Sequence, residues 1–193
     1  MNDIYLDHAA TTPMDPAVIK TVNKYMKDYY GNPSSIYQTG QKSHNEIRKA
    51  RQSIADYINA GDMREIIFTS GGTESNNLAI KGTALAHQDK GKHIITTKIE
   101  HHAVLHTCEY LEKQHNFDVT YLDVDEKGFV NIDVLKDAVN DNTILVSIMT
   151  ANNEIGSIQP IEEIGEFLKD KDTYFHTDAV QALGQLDIDV QKM

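Results

Sequence analysis

From Glu65 onward, short β-branched runs alternate with stretches of helical periodicity, and this alternation constrains the fold more than any other feature of the sequence. The runs are Ile66-Ile67-Phe68-Thr69, His93-Ile94-Ile95-Thr96-Thr97, Val119-Thr120-Tyr121-Leu122, Thr143-Ile144-Leu145-Val146-Ser147-Ile148-Met149 and Tyr174-Phe175-His176-Thr177. Apolar residues recur at helical spacing between them, over residues 74–87, 101–114, 132–139 and 161–170. Strands joined through helices pair in parallel, which predicts an α/β chain of three αβα layers around a mostly parallel sheet of five strands. The run 143–149 is almost unbroken in apolar residues, as a strand covered by helices on both faces requires. Right-handed crossovers then bring the C-terminal ends of the strands to one edge, where ligands collect.

Two helices are expected before the first strand. Asp15-Pro16 opens one that carries Val18, Val22, Tyr25, Met26 and Tyr29. Ile47, Ala50, Ile54 and Ile58 mark the second, beyond the turn formers Gly31-Asn32-Pro33-Ser34-Ser35. No internal repeat or linker-like tract divides the chain.

Charge narrows the function. The formal charge of −11 comes from carboxylates scattered along 193 residues, leaving no basic face to neutralise a nucleic-acid backbone. The start MNDIYLDHAATTP has neither a cationic nor an apolar leader region, and no apolar run approaches the roughly 18 residues that span a bilayer. The expected location is cytoplasmic, with no membrane contact. A single cysteine, Cys108, permits no internal disulfide.

The strand ends carry the chemistry. Thr69-Ser70-Gly71-Gly72-Thr73-Glu74-Ser75 joins the first run to a helix and reads as an anion cup, with glycines for close approach and free amides at a helix N-terminus. It matches neither the nucleotide-binding P-loop nor the dinucleotide fingerprint, and a ligand-free capped turn remains an alternative. Glu100-His101-His102 follows the second run and places an imidazole at the sheet edge, able to stack on a flat ring or move protons. His102 and His106 stand four apart near Cys108 and His115, but no glutamate follows the first histidine and no second cysteine exists, so no metal site is expected. Asp123-Val124-Asp125-Glu126-Lys127-Gly128 resembles the start of a calcium loop, yet Lys127 and Val134 fall where ligands belong. Asn152-Asn153-Glu154 ends the fourth run. Asp178 ends the fifth, where a carboxylate against a low-dielectric sheet needs either a cation, such as a pyridinium nitrogen, or a capping role.

Taken in order, IYLDHAATTP, GNPSS, EIIFTSGGTESNNLAIKG, EHHAVL, TILVSIMTANNEIGSIQPI and FHTDAVQALG resemble the cysteine desulfurases of the NifS/IscS type, in the class-V aminotransferase branch of fold-type I enzymes dependent on pyridoxal 5'-phosphate (PLP). The resemblance covers essentially the whole chain. It implies a seven-stranded large domain over residues 15–193, with five of its strands here, and a segment 1–14 associated with a small domain. It implies that Gly72 and Thr73 bind the cofactor phosphate and that His101 stacks on the ring and transfers protons. Asn153 and Gln181 would contact the ring oxygen and Asp178 the pyridine nitrogen. Alanine is commoner in the family at the position of Gly72.

The implied activity is transfer of sulfur from L-cysteine, leaving L-alanine, to acceptors such as an iron–sulfur scaffold protein or a tRNA-thiolating enzyme, by a homodimer. The family's cofactor-anchoring lysine, in a Ser-Gly-His-Lys segment, and its sulfur-accepting cysteine have no counterpart in these 193 residues. The chain is therefore expected to be inactive by itself. Selenocysteine lyase, another class-V aminotransferase, or a truncated non-catalytic binding or assembly module are the alternatives.

Overall fold

In the computed structural model, which describes residues 4–193, the chain forms two compact units divided between Ile67 and Phe68. The first contains helices α1 (Pro16–Asp28) and α2 (Gln38–Tyr57). Asp15 accepts the Ala17 amide at 2.7 Å and Pro16 supplies a preset backbone angle, so α1 starts where the sequence places it. No residue of α1 is buried: Val18, Val22 and Met26 form an exposed apolar stripe. The Tyr25 hydroxyl donates to Glu46, and Ser43 Oγ donates to the Tyr29 carbonyl at 3.0 Å, tying α2 to α1.

The second unit runs α3 (Gly72–Ala86), β1 (His93–Thr97), α4 (His102–His115), β2 (Asp118–Leu122), α5 (Ile132–Ala138), β3 (Thr143–Ser147), α6 (Ile161–Leu168) and β4 (Tyr174–His176). All neighbours pair in parallel, in the order β2-β1-β3-β4. Consecutive side chains on a strand point to opposite faces, and the core divides accordingly. Ile80 and Ala84 of α3 and Val104, Cys108 and Leu111 of α4 pack with Ile94, Val119 and Leu145 on one side. Leu135 of α5 and Ile161, Ile164 and Leu168 of α6 pack with Ile95, Leu122, Val146 and Ile148 on the other. Each such Val, Leu or Ile side chain contributes roughly 1.5–3 kcal/mol on burial. The β1–β3 register shifts between His93 and Ile94, where Ile144 is the extra residue; this sends Ile144 and Leu145 into the same core. At the opposite edge from the ligand side, His93 joins β1 to both neighbours through Thr143 Oγ1 at 2.7 Å and Thr120 Oγ1 at 2.9 Å, and burial lowers its pKa.

Among the described residues the sheet has four strands and not the expected five, because residues 66–69 form no strand. Ile67 is 66% and Phe68 48% exposed. A β-branched run becomes a strand only when another strand forms a ladder with it, and none of the four does so with residues 66–69.

Candidate functional site

The cup preceding α3 is built by its own side chains. Thr69 Oγ1 and Ser75 Oγ lie 2.7 Å apart, the Ser75 amide donates to the Gly71 carbonyl at 3.1 Å, and the Ser70 amide donates to Glu74 Oε2 at 2.6 Å. The bonds from Ser70 hold the Glu74 carboxyl below its usual range. Ser75 is thus the first intrahelical donor, and helix geometry leaves the amides of Gly72 and Thr73 ahead of it for an outside acceptor, at the positive end of the helix. A Cβ added to Gly72 would stand 2.9 Å from Val180 Cγ2, so the cup packs closely against the segment after β4.

Asp178 lies on that segment, 7% exposed. Its Oδ2 accepts from Asn76 Nδ2 at 2.7 Å and its Oδ1 from the Val180 amide at 3.0 Å. Its carbonyl accepts from the Thr150 amide at 2.9 Å, continuing the β3–β4 ladder. No ion pair reaches it among the described residues. A carboxylate so buried is costly unless a cation completes its surroundings. Asn76, which sequence reading passed over, was detectable only through its spacing: four residues after Gly72, it returns to the same side of α3. On β4, His176 Nδ1 lies 2.8 Å from Ser147 Oγ, and burial pushes the imidazole down to about 4, keeping it neutral.

His101 caps α4, its Nδ1 accepting from the Ala103 amide at 3.1 Å. It shares a groove of about 410 Å³ with Thr73, between α3 and α4. Asn153 and Gln181 are carried to the same sheet edge by β3 and β4. Asn153 is partly exposed, with its Nδ2 on Glu154 at 2.9 Å, while Gln181 is exposed. The adjacent Asn152 is structural: its Nδ2 donates to the Ile99 carbonyl at 2.8 Å and its Oδ1 accepts from the Glu154 and Ile155 amides. The structure therefore links Gly72, Asn76, Val180 and Asp178 through direct contacts and Thr73 to His101 through one groove. Asn153 and Gln181 lie at the same edge.

The rings of His102 and His106 stack at 5.2 Å, and no group of three metal-ligating side chains occurs among the described residues. Cys108 is fully buried, and burial pushes its thiol up to about 12, which leaves it unreactive. Lys192 pairs with Asp189 at 3.3 Å and is largely exposed. Glu100, to which the sequence reading assigns no role of its own, is buried, and its carboxyl is pushed up to about 7, mainly by desolvation.

These features suit a phosphorylated pyridinium. Free helix-terminal amides answer a phosphate, and a buried carboxylate without a cation answers a protonated ring nitrogen. Across residues 4–193 the chain matches the aminotransferase class-V family. It is similar to the putative cysteine desulfurase IscS 1 of Bacillus subtilis, 59% identical over 99% of this chain and 50% of that protein. It is 58% identical to the cysteine desulfurase IscS of Methanosarcina thermophila, over 98% of this chain and 46% of the relative. The chain thus spans about half the length of the curated relatives it matches. Among solved structures it resembles SspA in complex with cysteine (TM-score 0.92, 43% identity, 97% of this chain and 54% of the other). It also resembles a NifS-like protein (TM-score 0.93, 39% identity, 98% and 52%). The chain belongs to the aminotransferase class-V family.

Proposed function

We propose that this chain forms the cofactor-binding part of a PLP-dependent cysteine desulfurase, which converts L-cysteine to L-alanine and passes the sulfur to an acceptor as a persulfide. The observation that carries this is the buried Asp178, held by Asn76 from the same helix whose N-terminus forms the anion cup. When bound, PLP supplies an electron sink for negative charge on the α-carbon of an amino acid. The amides of Gly72 and Thr73 bind its phosphate, with the positive end of α3 adding to the attraction. Asp178 keeps the ring nitrogen protonated, and Asn76 and the Val180 amide hold Asp178 in place. His101 covers the ring and moves the substrate's proton. Asn153 and Gln181 orient the ring from its oxygen. Residues 15–193 belong to the cofactor-binding domain, and the segment 1–14, of which residues 1–3 lie outside the described residues, associates with a small domain. The protein works as a cytoplasmic homodimer, with an iron–sulfur scaffold protein or a tRNA-thiolating enzyme as acceptor.

The test uses the protein expressed from its natural reading frame. Bound PLP is measured by visible absorbance, and alanine and released sulfur are assayed with L-cysteine, L-selenocysteine and other amino acids. Retained PLP with equal alanine and sulfur from L-cysteine is the expected result, and Asp178→Asn should abolish it. Retained PLP with amino transfer, or with selenocysteine as sole substrate, would place the protein elsewhere in the class-V family. Absence of PLP would make it a binding or assembly module.

A further inference from the structure

The turn from β1 into α4 is fastened to the segment that follows β3 at two points. Glu100 is 4% exposed, and its Oε1 accepts from Thr97 Oγ1 at 2.9 Å and from the Met149 amide at 2.9 Å. One residue earlier, the Ile99 carbonyl accepts from Asn152 Nδ2 at 2.8 Å. His101 follows at once, and its Nδ1 accepts from the Ala103 amide. With Nδ1 as acceptor, the neutral ring carries its proton on Nε2.

Glu100 is an expensive residue for this place. Its Oε2 is buried and has no hydrogen-bond partner, a condition native interiors seldom contain. Desolvation raises its carboxyl to about 7, so near neutrality much of it is uncharged beside the Asp178 carboxylate. An apolar side chain of the same size would avoid the burial cost but could not bond a strand-end amide from the neighbouring turn.

We propose that Glu100 is a positioning residue: by clamping the β1–α4 turn to Met149, it sets the place and the Nε2–H tautomer of His101 at the sheet edge. The need for such placement rests on the proposed role of His101, whereas the clamp belongs to the fold.

Side-chain nitrogen NMR of His101 tests this in the natural protein without cofactor or substrate, so its outcome is separate from whether PLP binds or cysteine is consumed. Wild type and Glu100→Gln are expected to share one His101 signature with Nδ1 unprotonated, since the Gln oxygen accepts the same two bonds. Glu100→Ala is expected to lose the fixed tautomer, while the signals of His93 and His176 stay in place and report an intact sheet. Thr97→Val, which removes one of the two bonds and keeps the side-chain shape, is expected to loosen the tautomer partially and decides the matter if Glu100→Ala does not fold. An unchanged His101 signature in Glu100→Ala or Thr97→Val, or a lost one in Glu100→Gln, overturns the proposal.

Discussion

Replacing Glu100 by Gln is expected to remove a loss of stability that the wild-type protein suffers as pH rises. Burial is the main force on this carboxyl; the Met149 amide and Thr97 oppose it and the Asp178 charge adds to it, with a net displacement from 4.5 to about 7. At ~1.4 kcal/mol per pH unit, that displacement corresponds to about 3 kcal/mol. Because the folded-state value is raised, the stabilising contribution is complete below 4.5 and is lost as pH rises through about 7. His176 works in the other direction: its value falls from 6.5 to about 4, so its contribution is complete above 6.5 and lost as pH falls through about 4. Both proteins contain His176, and it cancels in their difference. Urea unfolding followed by circular dichroism at about pH 4.5 and about pH 8 should show the variant gaining about 3 kcal/mol on wild type between the two conditions. A difference that stays constant across this range, or a variant that loses ground at the higher pH, would refute the reasoning that burial controls this group.

Three further outcomes are expected. Asn76→Ala removes a buried donor from Asp178 and should cost about 1.5–3 kcal/mol in unfolding free energy, with weaker PLP binding measured by fluorescence titration. Gly72→Ala should be tolerated within about 1 kcal/mol in thermal unfolding, because the atom its Cβ meets is a methyl of Val180, a side chain 64% exposed with solvent to shift into. Cys108 should resist alkylation by iodoacetamide in the folded protein, as followed by mass spectrometry, and react only in denaturant, because its thiol is buried and pushed up to about 12.

Local pattern was enough for much of this architecture. The runs at 93–97, 119–122, 143–149 and 174–177 and the helical spacing between them correspond to β1–β4 and α3–α6, since each signal lies within a few residues of sequence. The Asp15-Pro16 start of α1 was equally readable, because a cap acts on amides two residues away. The cup before α3 and the carboxylate after β4 were visible as residue types at strand ends. Residues 66–69 were misread as a strand because pairing depends on a distant partner, and sequence texture does not contain one.

What the sequence determined by itself was the layered parallel α/β plan and the edge at which its polar residues gather, because period and strand–helix alternation fix those locally. Only the tertiary structure decided which polar residues serve the fold and which face outward. Asn152 and Asn153 are chemically identical neighbours, yet one is buried against the Ile99 carbonyl while the other is partly exposed. Asn76 and Glu100 acquire their roles from Asp178 and Met149, residues far along the chain. Burial and long-range hydrogen bonding are properties of the packed sheet, and they turn an unremarkable amide or carboxyl into a determinant of the site.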